Sequence, residues 1–256
     1  AKSVMLNMTP TPDMRLAALA RLPKGMAPSQ LEEERSRIDH EMIGRVIRRN
    51  RWTCEVAKEH PSLIPFISVE PAMGSETMAA VIENAVSNWG AKGIKIHPPV
   101  QRIFADDQVM WPVYEKAMDL CLPVVFHSGS FFASDGNDYS QLRLFAVVLS
   151  AFPKLTVVLA HLGREPHPEY LDLAKRYPNA YFDTSASITC ADASPTLSSG
   201  DAVKLIRTIG AERILFGSDF AFHDSEGSAQ RFASLPLSVE EKRLIGAENA
   251  KRIFKI

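Results

Sequence analysis

The stretch PVVFHSGS (residues 123–130) ends an apolar run with a histidine and a turn that contains glycine. A short, continuously apolar run is typical of a parallel β-strand that is buried on both faces. The pattern returns in KGIKIHPP (92–99) and LTVVLAHLG (155–163), and RILFGSDF (213–220) carries an aspartate instead of the histidine. Side chains able to do chemistry therefore stand at the ends of several predicted strands.

Seven apolar runs alternate with longer amphipathic segments along the chain. The predicted strands are Ser3–Met8, Leu63–Val69, Gly93–Ile96, Pro123–Phe126, Leu155–Ala160, Ala180–Thr184 and Arg213–Gly217. This alternation predicts an α/β fold, and 256 residues suit a single (β/α)8 TIM barrel that occupies residues 1–256 as one domain. Because a closed barrel has eight strands, we expect the first strand to be missing, upstream of the given sequence.

Helix signals lie between the predicted strands. An apolar stripe at helical spacing consists of Met78, Val81, Ile82, Ala85, Val86 and Trp89. Ser75 stands before this stripe as a predicted N-cap, and Ser238 with Glu241 has capping-box spacing. Two long connections, Thr9–Arg37 and Ser185–Gly200, are expected to be loops on the carboxyl-terminal face of the barrel, where active sites lie.

The composition argues against several classes of function. The formal net charge is −1, and the densest basic cluster, RVIRRNR (45–51), fits a solvated helix face better than a nucleic-acid site. The sequence has no apolar stretch of the ~18–20 residues that a membrane span needs. Cys54, Cys121 and Cys190 are too few and too scattered for a disulfide framework, so we expect a reducing, cytoplasmic location.

Four polar side chains, His97, His127, His161 and Asp219, lie at or just beyond strand ends. In a parallel barrel these ends meet at one mouth, so we expect the side chains to converge. A single histidine or aspartate there is usually a structural, cap or turn residue, but the shared position favours function. Imidazole nitrogens with a carboxylate suit a divalent cation, which we predict to be zinc, with manganese or iron as alternatives.

At these residues the sequence resembles the amidohydrolase superfamily, in its amidohydrolase-related (amidohydrolase-2) branch. The resemblance is carried by GAKGIKIHPP, CLPVVFHSG, FPKLTVVLAHLG, YPNAYFDTSA, ERILFGSDF and the closing ENAKRIF, in the family's order. It implies a TIM barrel, a divalent metal, a small-molecule substrate and a homodimer or larger homo-oligomer. The branch contains metal-dependent hydrolases, lactonases and non-oxidative decarboxylases.

The resemblance also implies roles for individual residues. His127 corresponds to a metal-ligand histidine, and His161 to a second histidine that ligates metal or polarises the substrate. Asp219 corresponds to the carboxylate that binds metal and shuttles protons. In a hydrolase, Asp219 or His161 would take a proton from the attacking water.

Four further residues are predicted to bind substrate. Lys95 and His97 lie at a strand that faces the substrate in this branch; a carboxylated, metal-bridging lysine or an ordinary ion-paired lysine is the alternative for Lys95. Arg164 would clamp an anionic substrate or pair with Glu165. Phe220, just past a strand end, favours a flat or apolar substrate portion, with loop packing as its alternative.

One departure from the family leaves the function open. The family's His-x-His on the first strand occurs nowhere in this sequence, which we attribute to the missing strand. Our main prediction is a metal-dependent hydrolase that cleaves an amide, ester or lactone. The alternatives are a metal-dependent decarboxylase of an aromatic or unsaturated acid and a metal-free, catalytically silent barrel.

Overall fold

The computed structural model describes residues 2–129, 133–162, 168–189 and 197–256. These residues form two compact units. The first unit comprises residues 2–120 and 133–139, and the second comprises 121–129 together with the described residues from 140 to 256. In each unit strands alternate with helices, as the sequence predicts. The folding of the chain as one domain stays a prediction.

The first unit contains three parallel strands in chain order. These are β1 (Ser3–Leu6), β2 (Leu63–Ser68) and β3 (Gly93–Ile96). The helices of this unit are α1 (Thr11–Leu19), α2 (Pro28–Glu59), α3 (Ser75–Asn84), α4 (Pro98–Gln101) and α5 (Trp111–Asp119). Phe66 pairs with Gly93, and a Cβ at Gly93 would lie 2.2 Å from the Phe66 ring. A side chain at position 93 would therefore require the buried Phe66 ring to move.

The second unit contains four parallel strands, again in chain order. They are β4 (Val124–Phe126), β5 (Val157–Leu159), β6 (Ala180–Asp183) and β7 (Ile214–Leu215). Its helices are α6 (Leu142–Ala151), α7 (Pro168–Arg176), α8 (Ser199–Ile209), α9 (Ser225–Ser234), α10 (Val239–Arg243) and α11 (Asn249–Phe254). Every residue of β4 and β5 is buried, which confirms that their continuous apolar sequences indicate two covered faces.

All seven predicted strands are present in the described residues, but one predicted loop is wrong. The connection Thr9–Arg37 contains α1 and the beginning of α2, a helix of 32 residues. Its prolines resemble helix breakers in the sequence. Pro12 and Pro28 instead stand in the first turns of the two helices, where a backbone N–H has no intrahelical partner to lose.

Two predicted helix starts have different outcomes. Ser238 and Glu241 form a reciprocal capping box: the Ser238 N–H donates to Glu241 Oε2 at 2.6 Å and the Glu241 N–H to Ser238 Oγ at 3.1 Å. Ser75 is not the N-cap of α3. Gly74 holds that position with φ of 75°, and the Ser75 hydroxyl donates to the carbonyl of Val109 at 3.0 Å. A tertiary acceptor thus binds the hydroxyl that would otherwise cap the helix.

A buried asparagine ties α2 to the strands of the first unit. Asn50 is fully buried, and its Oδ1 accepts the side-chain N–H of Asn7 and the backbone N–H of Ser68, both at 2.9 Å. Its Nδ2 donates to the carbonyl of Ser68 at 2.7 Å. One amide therefore satisfies polar groups beyond β1 and at the end of β2.

In the described part of the chain, no helix is both long enough and apolar enough to span a membrane.

We expect Asn50→Ala to lower the free energy of unfolding by about 2–4 kcal/mol, because at least two buried polar groups lose their partners. Urea denaturation followed by circular dichroism measures the change. The control is Asn88→Ala, which removes an exposed amide that bonds only the side chain of Asn84 among the described contacts. Equal effects of the two substitutions would contradict the role given to Asn50.

Candidate active site

Two of the predicted site residues, His127 and His161, form a buried pair. His127 follows β4 directly, and His161 lies two residues beyond β5. These strands are neighbours, with Phe126 beside Leu159. His161 Nε2 lies 3.0 Å from His127 Nδ1, the ring centroids are 4.7 Å apart, and both residues are 5% exposed. The two imidazoles are therefore in direct hydrogen-bond contact and largely excluded from water.

Residues at the end of β6 hold His161 from its other side. His161 Nδ1 lies 2.9 Å from Ser185 Oγ and 3.3 Å from the Ser185 carbonyl oxygen. The Ser185 hydroxyl donates to Asp183 Oδ1, which also accepts the backbone N–H groups of Ser185 at 2.9 Å and His161 at 3.1 Å. Because three donors converge on one oxygen, the Asp183 carboxylate anchors both the backbone and the ring of His161.

The backbone of His161 needs this anchor. Its φ is 68°, in the left-handed region that residues with a Cβ adopt infrequently. The N–H of the next residue, Leu162, donates to the Asp183 carbonyl at 2.9 Å. Contacts with β6 on both sides of the turn therefore stabilise its conformation.

Gly217, just beyond β7, allows the backbone there to approach Asp183 and Ser185 closely. A Cβ at Gly217 would lie 2.9 Å from Ser185 Cβ and 3.4 Å from Asp183 Cγ. The Gly217 N–H donates to Thr184 Oγ1 at 3.2 Å, and its carbonyl accepts the Thr189 hydroxyl at 2.6 Å. The chain after β7 thus lies directly against Asp183 and Ser185, with no room for a larger residue.

Asp219 and Phe220 follow in the same connection. Asp219 is half-buried with φ of 61°, and its carbonyl accepts the backbone N–H groups of Phe222 at 2.9 Å and His223 at 3.2 Å. The rings of Phe220 and Phe222 are exposed, at 76% and 72%. The tight turn at Asp219 therefore presents an aromatic residue to solvent directly after the predicted proton-shuttle carboxylate.

The donors present fit a divalent metal in kind but not in number. Imidazole and carboxylate are suitable ligands for zinc or manganese. Within the described ranges, no group of three or more histidine, cysteine, aspartate or glutamate side chains is arranged to hold an ion. The structure brings His127 and His161 together but does not group Asp219 with them as a three-ligand site. Among the described residues these donors therefore do not form a complete metal site, and metal binding by them stays a prediction.

The remaining predicted site residues belong to the first unit or lie outside the described residues. Lys95 is a buried residue of β3. His97 caps α4: its Nδ1 accepts the N–H of Val100 at 3.4 Å, and its own N–H donates to Gln101 Oε1 at 2.6 Å. The ring of His97 therefore has a structural contact beside any contact with substrate. Arg164 lies outside the described residues.

A buried carboxylate in the first unit was not predicted from the sequence. Glu70 lies two residues beyond β2, is 5% exposed, and accepts the hydroxyl of Thr11. Burial raises the pKa of its carboxyl above the ordinary glutamate value, because desolvation disfavours the charged form. A cavity of about 190 Å³ lies beside it, lined partly by Arg15 and Asp39, which form an ion pair. A single glutamate after an apolar run gives no distinct sequence signal.

Comparison with protein families defines the class of protein. The sequence model of the family described as Amidohydrolase matches residues 9–256. The chain belongs to this family, as the sequence motifs indicate. It is thereby placed in a superfamily of enzymes built on TIM barrels.

Two relatives are decarboxylases. The chain is similar to gamma-resorcylate decarboxylase from Polaromonas sp. (strain JS666 / ATCC BAA-500), with 23% identity over 249 residues that cover 82% of this chain and 76% of the relative. It is also similar to gamma-resorcylate decarboxylase from Rhizobium radiobacter, with 31% identity over 130 residues that cover 45% of this chain and 39% of the relative.

Solved structures have the same fold. An uncharacterized TIM-barrel protein from Bordetella bronchiseptica covers 100% of this chain and 99% of its own, with a TM-score of 0.70 and 22% identity. Dihydroxybenzoic acid decarboxylase from Polaromonas sp. JS666, with bound manganese and 2-nitroresorcinol, matches with a TM-score of 0.67 and 19% identity. This match covers 85% of this chain and 76% of the decarboxylase chain. The manganese complex of 5-carboxyvanillate decarboxylase from Novosphingobium aromaticivorans matches with a TM-score of 0.68 and 15% identity. This match covers 85% of this chain and 71% of the decarboxylase chain.

These comparisons bear on the predictions from the sequence. The TIM-barrel fold class is confirmed. The named relatives are decarboxylases rather than hydrolases, so the alternative prediction is better supported than the main one. The metal named in the two decarboxylase structures is manganese, and our prediction of zinc is not confirmed.

We expect Gly217→Ala to lower the free energy of unfolding by about 1–3 kcal/mol, because the added methyl group overpacks the contact with Ser185. The matched control is Gly200→Ala in α8, where the nearest atom to the new Cβ is 3.8 Å away. This control should be neutral or stabilising by up to about 1 kcal/mol. Thermal and urea denaturation measure both variants, and an unchanged stability of Gly217→Ala would contradict the close approach.

Proposed function

We propose that this protein is a metal-dependent, non-oxidative decarboxylase of a hydroxy-substituted aromatic acid. The observation that carries the proposal is the buried His127–His161 pair at adjacent strand ends, in a chain similar over 249 residues to gamma-resorcylate decarboxylase. The names of the relatives support an aromatic carboxylate as the substrate class. A hydrolase would use the same side chains, so the choice between the two depends on these relatives.

The reaction replaces a carboxylate on the ring with a proton. The bond between the ring carbon and the carboxylate breaks, the electron pair stays on the ring, and carbon dioxide leaves. Asp219 in its protonated form donates the proton to that ring carbon and afterwards regains one from solvent. Its half-buried position is compatible with both exchanges.

The histidine pair has a binding and orienting role in this proposal. Both nitrogens of His161 already make hydrogen bonds, to His127 and to Ser185. We therefore assign His161 to orienting His127 and assign metal binding to His127 and Asp219, with ligands that are not among the described residues. A divalent cation there, manganese by analogy with the relatives, would fix the substrate oxygens and withdraw electron density from the ring.

Phe220 is proposed to contact the flat face of the substrate. It follows Asp219 directly, and its exposed ring is available for stacking. Lys95 is proposed to bind an anionic group of the substrate, as the family resemblance implies, and Arg164 is proposed to clamp one through its guanidinium group. In this proposal the aromatic ring sets the plane of the substrate.

The proposal is tested by assaying the purified protein, supplied with manganese or zinc, for carbon dioxide release from 2,6-dihydroxybenzoate and 5-carboxyvanillate. A parallel panel of esters, amides and lactones tests the hydrolase alternative. We expect decarboxylation that stops after treatment with a chelator and returns when the metal is restored. Hydrolysis without carbon dioxide release, or activity that a chelator leaves intact, would reject the proposal.

In the same assay we expect Asp219→Asn to lower kcat by about 10²–10⁴-fold, since the amide cannot deliver the proton. The control is Asp172→Asn, which changes a carboxylate with 57% side-chain exposure on α7. That control should retain the parent rate. A variant at residue 219 with the parent kcat would exclude Asp219 as the proton donor.

Phe220→Ala should raise KM several-fold and leave kcat nearly unchanged, because it removes a contact made equally in the ground state and the transition state. Phe222→Ala is a closely matched control, with 72% exposure two residues further along the chain. Initial-rate kinetics across a substrate series separate KM from kcat. If both variants raise KM equally, the effect is not specific to the proposed stacking position.

A further inference from the structure

The hydrogen bonds around Ser185 have a definite direction. A serine hydroxyl has one proton, and here it is donated to Asp183 Oδ1, which accepts as a carboxylate. Ser185 Oγ must then accept at its contact with His161 Nδ1, 2.9 Å away. The Ser185 carbonyl, 3.3 Å from the same nitrogen, can also only accept. Both contacts require the proton of a neutral His161 to be on Nδ1.

The position of the proton on His161 also fixes the direction of its hydrogen bond with His127. A neutral imidazole that is protonated on Nδ1 has its lone pair on Nε2. His161 Nε2 lies 3.0 Å from His127 Nδ1, so it accepts a hydrogen bond from the N–H at His127 Nδ1. The lone pair of His127 is then on Nε2. The carboxylate at the end of β6 thus sets the tautomer of the histidine just beyond β4, two strands away in the second unit.

We propose that Asp183 and Ser185 are positioning residues that fix the tautomers of His161 and His127, leaving His127 Nε2 as the nitrogen that binds the metal. The importance of this nitrogen rests on the proposed function, whereas the order of the protons follows from the hydrogen bonds alone. A histidine that binds a metal commonly donates a hydrogen bond from its second ring nitrogen to a neighbouring group, and this hydrogen bond fixes the orientation of the ring. Here that group is another histidine, held in turn by a serine and a carboxylate.

Close packing supports the assignment. Asp183, Ser185, His127 and His161 are all buried. Gly217 leaves no space behind Ser185, since a Cβ there would lie 2.9 Å from Ser185 Cβ. The chain at Gly217 therefore packs closely against Ser185.

The test is an NMR measurement on the full chain labelled with ¹⁵N-histidine, in mildly alkaline buffer without added metal. Long-range proton–nitrogen correlations distinguish protonated from unprotonated ring nitrogens, and His127→Gln and His161→Gln variants assign the two signals. We expect protonated Nδ1 and unprotonated Nε2 for both residues. The opposite tautomer at either histidine in the parent protein would overturn the inference.

Two serine variants separate positioning from a purely structural role. Ser185→Ala removes the hydroxyl that faces His161, and we expect a mixture of tautomers together with an about 10–100-fold loss of metal affinity or kcat. Ser187→Ala removes an equally buried hydroxyl, which lies 2.6 Å from the Leu162 carbonyl and 3.2 Å from the Ser185 carbonyl and has no hydrogen bond to either imidazole among the described contacts. It should keep the parent tautomers. Identical nitrogen shifts in the two variants would show that the Ser185 hydroxyl does not select the tautomer.

The outcomes distinguish this inference from the proposed function. The predicted tautomers in a protein that releases no carbon dioxide from any acid would reject decarboxylation and leave the proton order intact. Decarboxylation by a protein with the opposite tautomers would reject the roles of Asp183 and Ser185 only. Manganese affinity, measured by titration calorimetry, provides a readout for the serine variants that is independent of turnover.

Discussion

The convergence of three donors on the carboxylate oxygen of Asp183 is the interaction on which the candidate site depends. The Ser185 hydroxyl and the backbone N–H groups of Ser185 and His161 all bond to Oδ1. This oxygen therefore fixes the end of β6, the left-handed turn after β5 and the direction of the His161 ring at once. Because these groups are buried, removing the acceptor would leave several donors without a partner, at about 1–3 kcal/mol each.

Parallel strand order brings these groups together. β4, β5 and β6 are neighbours in chain order, so side chains just beyond their carboxyl ends lie within one hydrogen bond of each other. The short strands contribute covered apolar faces, and the turns contribute polar groups that bond to one another across strand ends. Chemistry and stability consequently share the same few residues at this edge of the second unit.

The sequence predicts those features whose signal lies within a single segment. Continuous apolar runs locate all the described strands, and a histidine at each of two strand ends predicts the pair formed by His127 and His161. The roles of Asp183, Ser185 and Gly217 could not be predicted, because they arise only from the register between β6 and its neighbours. Helix α1 was missed because proline breaks a helix interior but is tolerated in a first turn, and the sequence alone does not separate these cases.

The site divides into a tightly packed part and a part that is open to variation. Around Gly217 and Ser185 atoms are already in close contact, so a larger side chain there would strain the packing. Phe220 and Phe222 are only a few residues further on and largely surrounded by solvent, so the same connection tolerates new side chains at its tip. Evolution or engineering could therefore change the surface presented by this tip while the buried imidazole pair stays unchanged.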